Sequence, residues 1–386
     1  MQPGSGFAAA ISTHPTSAIA VGEVIGQVFE SVGEAPDLAV LFVSSHHLAR
    51  FREIAAAVHH ALRPGSMIGT AAASVIGNGA EVEGQPAISL WVGRTGPVVP
   101  FRLKAVASAG GFAVRGWPSP LKGRPATAVL LADPFSFPID TFIADVTERH
   151  PDLGIVGGLA SVPPSSEGTR FVIDTTVHES GAVGVMIGNG CDVATLVSQG
   201  CRPVGEPFVV TRAERNVIYD LGGRPALERV AALHRGAPEE ARSLLRSSLH
   251  LGVAVDPAKM EFERGDFLVR AVIGGDRESG AIALGEPVPI GTTVQFHVRD
   301  AETAHEDLEF LLAERCCDGR VEASLAFVCS ARGFAMFGEH SHDAAMITSF
   351  TQAPMSGMSC TGEIGTVGHR SFLHGSAVSV ALFRGR

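Results

Sequence analysis

Short, nearly continuous apolar runs alternate along the chain with stretches in which apolar residues recur every three or four positions, the pattern of buried strands alternating with amphipathic helices. LAVLFV at 38–43 predicts a strand, and Leu48, Phe51, Ile54, Val58 and Leu62 predict a helix that Ser44 or Ser45 can N-cap and Pro64-Gly65 ends. MIGTAA at 67–72 then predicts a second strand, and AISLWV at 87–92 a third after the loop IGNGAEVEG. The same order returns with TAVLLA at 127–132, a helix from about Pro138 to His150 burying Ile139, Phe142, Ile143 and Val146, GIVGGLA at 154–160, and an expected hairpin of TRFVIDT with AVGVMIG. It returns again with ASLAFVC at 323–329, a helix N-capped by Ser341 with Met346, Ile347 and Phe350 inward, MSGMSCTGEIG at 355–365, and SAVSVALF at 376–383. Three β-α-β-β units are therefore expected.

Two short helices that start at prolines, PALERVAALHRG from Pro225 and PEEARSLLRSSLHLG from Pro238, interrupt the repeats and look like an interdomain connection. Strands FLVRAVIGG at 267–275 and TVQFHVR at 293–299 follow, and Asp300 is placed to N-cap a helix carrying Ala304, Leu308, Leu311 and Leu312. With the boundary placed near 200–225, the expected class is α/β: two halves of repeated β-α-β-β units, forming mixed β-sheets covered by helices, with a pseudo-repeat between the halves.

Composition narrows the partners. Of 386 residues, 45% are apolar and 18% charged, enough to bury a sizeable core, and 45 glycines with 23 prolines imply many tight turns. The net charge is −10 without any basic run, which argues against nucleic acid and anionic membrane surfaces. Lysine occurs only at Lys104, Lys122 and Lys259, and Tyr219 is the lone tyrosine, which reads as coding bias. Mean hydropathy is +0.23, yet no apolar stretch approaches the roughly 20 residues of a membrane span. The first basic residue is Arg50, so no secretory start is expected and a cytoplasmic protein is. Cys191, Cys201, Cys316, Cys317, Cys329 and Cys360 contain no C-x-x-C pair and are expected as thiols, without structural zinc or another cofactor.

The most specific stretches are FVCSARGFAMFGEHSHD at 327–343 and GMSCTGEIGTVGHRSFLHGSAVSVALF at 357–383. They resemble the C-terminal half of the FIST family, with its F-C-x-x-R-G, G-E-I-G-P-V-G-G and F-L-H-G phrases. LAVLFVSSHH and IGTAAASVIG resemble the N-terminal FIST half, QGCRPVGEPFVVTRAERNVIYDLGGRPALE the central segment, and FHVRDAETAHEDL the C-terminal half. The resemblance covers nearly the whole chain and implies a FIST N-terminal domain over 1–205, a helical connection over 206–250 and a FIST C-terminal domain over 251–386. It also implies an intracellular sensory module for small ligands, with amino acids as the suggested class, acting through an unknown signalling partner and not as an enzyme. The sequence departs from the family phrases at Ser330-Ala331, Thr366, His369 and Arg215, where Asn-Gly, Pro, Gly and Gly are expected, so turn geometry is in question there.

Candidate chemistry gathers at one corner of the third unit. Cys329 and Arg332 lie at the carboxyl end of one strand, and Cys360, Gly362, Glu363 and Gly365 at the end of its partner, where open α/β sheets hold ligands. Arg332 suits a carboxylate, Glu363 an ammonium group, and glycines admit close backbone approach, so a zwitterion fits both charges. The plainer alternative pairs Arg332 with Glu363. His374 in FLHG starts the final strand near the same corner. Cys329, Cys360 and His374 also allow a thiol-dependent enzyme as an alternative, and a scaffold without a small ligand is a third reading. His46-His47, His59-His60, His340 and His342 have no metal-ligand spacing and are expected at the surface. GVMIGNG at 184–190 is a weak phosphate-loop match that ends a hairpin. By the repeat, Ser44-Ser45 and Gly69-Thr70 form the equivalent corner of the first unit, either a second, uncharged pocket or a partner to the third across a pseudo-twofold axis.

Overall fold

All three first strands expected from the apolar runs are present, at Leu38–Ser44, Thr127–Ala132 and Val321–Cys329, and each lies parallel to its second strand, at Ser66–Ala72, Gly154–Ala160 and Met355–Val367. The repeat is sharper in space than in sequence. Gly69 stands opposite Leu41, Gly157 opposite Leu130 and Gly357 opposite Ala326. A Cβ at these glycines would lie 2.5, 1.9 and 2.0 Å from the partner's carbonyl oxygen, so only glycine allows the strands to approach as they do.

The computed structural model describes residues 6–108, 111–118, 126–162, 168–188, 190–256, 259, 261–263 and 265–385. Lys122 and the Asn189 of the phosphate-loop match lie outside the described residues. The chain divides into one unit of Met1–Ser198, Leu308–Leu373 and Ala377–Arg386 and a second of Gln199–Asp307 with His374–Ser376.

The first unit holds two sheets. The smaller runs Phe7–Ser12, Ile88–Gly93, Leu38–Ser44, Ser66–Ala72, Phe171–Ile173 and Thr176–His178. The larger merges the second and third repeats, because Gly154–Ala160 pairs antiparallel with Met355–Val367. One core cluster joins Leu38, Val40, Phe42 and Trp91 of the smaller sheet to Val129, Val156, Phe327, Met358 and Phe383 of the larger, so the sheets pack face to face. Outer faces are covered by helices: Ser17–Val32 and Phe51–Leu62 on the smaller sheet, Ile139–Arg149 on the second repeat, and His342–Thr351 with Leu308 and Leu312 on the third. Strands buried on both faces explain why LAVLFV and its counterparts read as unbroken apolar runs.

Local expectations fail where polar side chains take long-range partners. Ser44 caps no helix: a 3₁₀ turn at Ser45–Arg50 precedes the helix, and the Ser44 hydroxyl accepts the Ala87 N–H at 2.9 Å. Ser341 likewise makes no side-chain cap and accepts the Glu81 N–H at 3.0 Å. TRFVIDT and AVGVMIG do not form one hairpin. Phe171–Ile173 pairs with Ser66–Ala72 in one sheet and Ala182–Ile187 with Thr127–Ala132 in the other.

The second unit is antiparallel throughout. Its strands run Cys201–Glu214, Thr293–Arg299, Leu249–Ala254, Phe267–Asp276, Ala281–Leu284 and Val217–Leu221, and the last pairs back with the first to close a six-stranded barrel around Val210, Ile218, Leu251, Ile282 and Phe296. The helices Ala226–Gly236 and Glu239–Ser247 pack on this unit through Leu227, Val230, Leu233, Ala241 and Leu245. Asp300 caps its helix as expected, accepting the N–H groups of Glu302 and Thr303. Arg215, where the family phrase has glycine, keeps a left-handed backbone at φ 55°, so the turn survives the substitution.

Candidate functional site

The third repeat builds its corner from a tight turn. Cys329 and Cys360 end the parallel register as cross-strand partners. The Ser330 N–H donates to the Cys360 carbonyl at 2.8 Å, the Arg332 N–H donates to the Cys329 carbonyl at 2.9 Å, and Gly333 takes φ 65°. This turn drives Arg332 inward, to 1% exposure. The helix His342–Thr351 meets it with Asp343 in its first turn, fully buried. Arg332 Nε donates to Asp343 Oδ2 at 2.6 Å and Nη2 to Oδ1 at 2.8 Å, a two-pronged fork. Burial alone would push the Asp343 carboxyl up, but the Arg332 charge and hydrogen bonds outweigh it and hold it at about 2. His342 lies against Asp343 at 3.0 Å and stacks on Phe337.

A hairpin from the first repeat reaches the same corner. Val75–Gly77 and Ala80–Val82 turn at Asn78-Gly79, both at positive φ, and Val75–Gly77 pairs antiparallel with the start of Met355–Val367. Glu81 Oε1 accepts the Ala344 N–H at 2.9 Å, and Glu83 accepts the Phe334 N–H at 3.2 Å. Burial, reinforced by Asp343, pushes the Glu81 carboxyl up to about 7.

Glu363 completes the group. It is fully buried, and its Oε2 accepts the Ala377 N–H at 3.1 Å. Burial pushes its carboxyl up to about 8, against the lowering effects of the Ala377 N–H, the Cys329 thiol and the Arg332 charge. Its Oε1 has no hydrogen-bond partner, and neither has Nη1 of Arg332, so two buried atoms of opposite polarity sit in one electrostatically linked cluster without bonding each other. Burial, with Glu363 beside it, pushes the Cys360 thiol well above its ordinary value, and the Cys360 sulfur lies 2.2 Å from where a Cβ on Gly158 would be.

Of the residues singled out in sequence, Cys329, Arg332, Cys360 and Glu363 come together here. Arg332 pairs with Asp343, not Glu363. Gly362 and Gly365 are not in a loop: the parallel register ends at Cys360, but the strand continues to Val367 on its antiparallel neighbour, with Glu363 opposite Gly158. A Cβ on Gly365 would meet Val197 at 2.2 Å and Ser379 at 2.8 Å, which makes it a packing position. His374 ends the strand Arg370–His374, is buried, and belongs to the second unit. Asp343, Glu81 and Glu83 escaped sequence reading. Asp343 directly follows the His340-x-His342 motif, in the first turn of a foreseen helix, whereas nothing local marks the hairpin acids.

Two histidines expected at the surface are buried. His47 bonds Ser17 through Nδ1 at 2.8 Å, and His342 lies between Phe337 and Asp343. The first-repeat corner is uncharged. Thr70 donates to the Arg170 carbonyl at 3.0 Å, and Ser44 serves Ala87. The ends of the three second strands do converge, where Ser161 accepts the Ala73 N–H and donates to the Ser359 carbonyl, and the Ser359 hydroxyl accepts the Ser74 N–H. Among the described residues, no group of three or more His, Cys, Asp or Glu side chains is disposed to hold a metal ion. The second unit carries two open clefts of about 710 and 650 Å³ that share Arg202, which is ion-paired with Asp300.

Comparison with known proteins agrees over nearly the whole length. Residues 37–224 match the FIST N domain and 226–366 the FIST C domain. An uncharacterized protein of Mycobacterium tuberculosis (strain H37Rv) is 36% identical over 377 residues, covering 97% of this chain and 98% of its own. An uncharacterized protein of Mycobacterium bovis is 35% identical over 378 residues, covering 97% of each. Among the described residues no helix is long and apolar enough to cross a membrane.

Proposed function

The chain belongs to the FIST family, whose domains are associated with sensory signalling, and from that premise we propose that it is a cytoplasmic sensor. In this reading it binds a small molecule such as an amino acid at the third-repeat corner and signals through a partner protein. The observation that carries the site is the pair of buried, unbonded atoms, Nη1 of Arg332 and Oε1 of Glu363. Burying a polar atom without a partner costs roughly 1–3 kcal/mol, more for a charged group, so a ligand bringing one acceptor and one donor recovers that energy on binding. A zwitterion has both groups. Cys329, Cys360 and the Gly362 backbone line the strands beside them. For Cys360 the thiol-enzyme alternative is disfavoured by its raised thiol, since nucleophilic cysteines need a lowered one.

Thermal-shift screening of amino acids and small carboxylates tests this. A ligand at a hundred times its Kd stabilises the native state by about 2.7 kcal/mol. The expected result is a selective rise in Tm that Glu363→Gln removes, the unliganded variant melting no lower than wild type. A ligand that stabilises Glu363→Gln as much as wild type would place the site elsewhere.

A further inference from the structure

The charges of this corner are not symmetrical, and the asymmetry bears on which end of a ligand it reads. Arg332 is the guanidinium that faces both Glu363 and Asp343, and two of its three donor nitrogens are already engaged by Asp343 at 2.6 and 2.8 Å. The pair neutralises itself. The other side chains that face the pair are two carboxyls, Glu363 from the second strand and Glu81 from the hairpin, and two thiols, Cys329 and Cys360, beside Glu363. His342 faces Asp343 from the helix.

Resting on the site reading above and deepening it, we infer that the group recognised here is an ammonium, held by Glu363 Oε1, and that the ligand's carboxylate is dispensable. A carboxylate would have to share Arg332 through Nη1 alone, in competition with a fully formed fork, and would stand among the carboxyls of Glu81, Asp343 and Glu363. An ammonium instead meets the unbonded Glu363 Oε1, and its charge compensates the carboxylate that forms when Glu363 gives up its proton. Burial keeps Glu363 protonated at neutral pH, at about 8, so an ammonium bound there must displace that proton. Amine binding is thereby linked to proton release, and affinity rises between pH 6 and 8.

Matched triplets separate the possibilities: leucine with isopentylamine and 4-methylpentanoate, and phenylalanine with phenethylamine and 3-phenylpropionate, titrated calorimetrically into the full chain at pH 7 in phosphate and in Tris. The expected result is that amino acid and amine bind within about tenfold of each other, the acid at least about a hundredfold more weakly, with close to one proton released per amine, as the difference between the two buffers reads. Glu363→Gln should lose amine binding and proton release together while staying folded, with a Tm at pH 7 no lower than that of wild type. Binding of amino acid and acid but not amine would overturn the ammonium inference and leave the site reading standing. Amine binding that persists in Glu363→Gln, or without proton release, would overturn it too. If no member of either triplet binds, both fall.

Discussion

The first and third repeats share one backbone frame and use its corner differently. In both, a glycine on the second strand lies against a carbonyl of the first, Gly69 on Leu41 and Gly357 on Ala326, and the chain leaves the first strand three residues later, at Ser44 and Cys329. In the first repeat, short hydroxyl side chains serve backbone groups, and in the second a buried carboxyl, Asp133, accepts from the hydroxyls of Thr169 and Ser136. In the third, a guanidinium and carboxyls enter the same position, buried, and two of their atoms are left unbonded. The second corner has Asp133, Ser136 and Thr169 all hydrogen-bonded, and the first leaves one buried atom unbonded, Nε2 of His47, so the frame does not itself call for two of opposite polarity. The third corner keeps an arrangement that stability does not require, and such conflicts concentrate at functional sites.

The shared frame can be broken outright. Gly357→Ala puts a Cβ 2.0 Å from the Ala326 carbonyl oxygen, and Gly69→Ala one 2.5 Å from that of Leu41. Both should destabilise by about 3 kcal/mol or more, Gly357→Ala further and to the point of little folded protein, as yield and thermal melting will show. The corners themselves separate next. Asp343→Asn leaves Arg332 without a countercharge in the interior and should cost about 3–5 kcal/mol in urea unfolding, whereas Ser44→Ala, losing one hydrogen bond, should cost about 1 kcal/mol.

Dependence on pH sharpens the contrast with the second unit. There His250 and His297 face each other across antiparallel strands, both buried and both lowered chiefly by burial, His297 to about 4. A folded value below the unfolded 6.5 means that stability is complete above about 6.5 and is lost as pH falls toward 4, by about 3 kcal/mol for His297. Glu363 and Glu81 have the opposite sign. Their folded values, about 8 and about 7, lie above the unfolded 4.5, so their contribution is complete below 4.5 and declines as pH rises through 7 and 8. Urea unfolding from pH 4 to 9 should show both flanks, and Glu363→Gln should flatten only the alkaline one. An unchanged alkaline flank would mean that Glu363 is ionised in the folded protein. The smallest effect belongs to the hairpin. Glu83→Ala removes a part-exposed hydrogen bond to the Phe334 N–H and should cost about 0.5 kcal/mol.

Strands and helices were legible because burial on both sheet faces writes unbroken apolar runs, and helices covering those faces write a three-to-four period. Thr127–Ala132, Gly154–Ala160 and Thr293–Arg299 begin and end where the sequence places them. Strand partnership was less legible, since nothing in GIVGGLA says that it pairs with the strand carrying Glu363, and the barrel closure of the second unit depends on pairing Cys201–Glu214 with Val217–Leu221. At the site, Arg332, Glu363 and the two cysteines stood out by residue type at strand ends. Glu81 lies 251 residues before Arg332 and was hidden, because a hairpin's docking is a tertiary fact with no local period. Ser44 and Ser341 misled for the same reason: their hydroxyls meet partners from distant segments before they meet a helix end.

The most direct test is a crystal structure soaked with whichever amino acid or amine stabilises the protein most. The account predicts ligand density between Nη1 of Arg332 and Oε1 of Glu363, with the Arg332–Asp343 fork intact and the Ser44–Thr70 corner empty. Density at the first-repeat corner or in the clefts beside Arg202, with Glu363 Oε1 still unbonded, would contradict it.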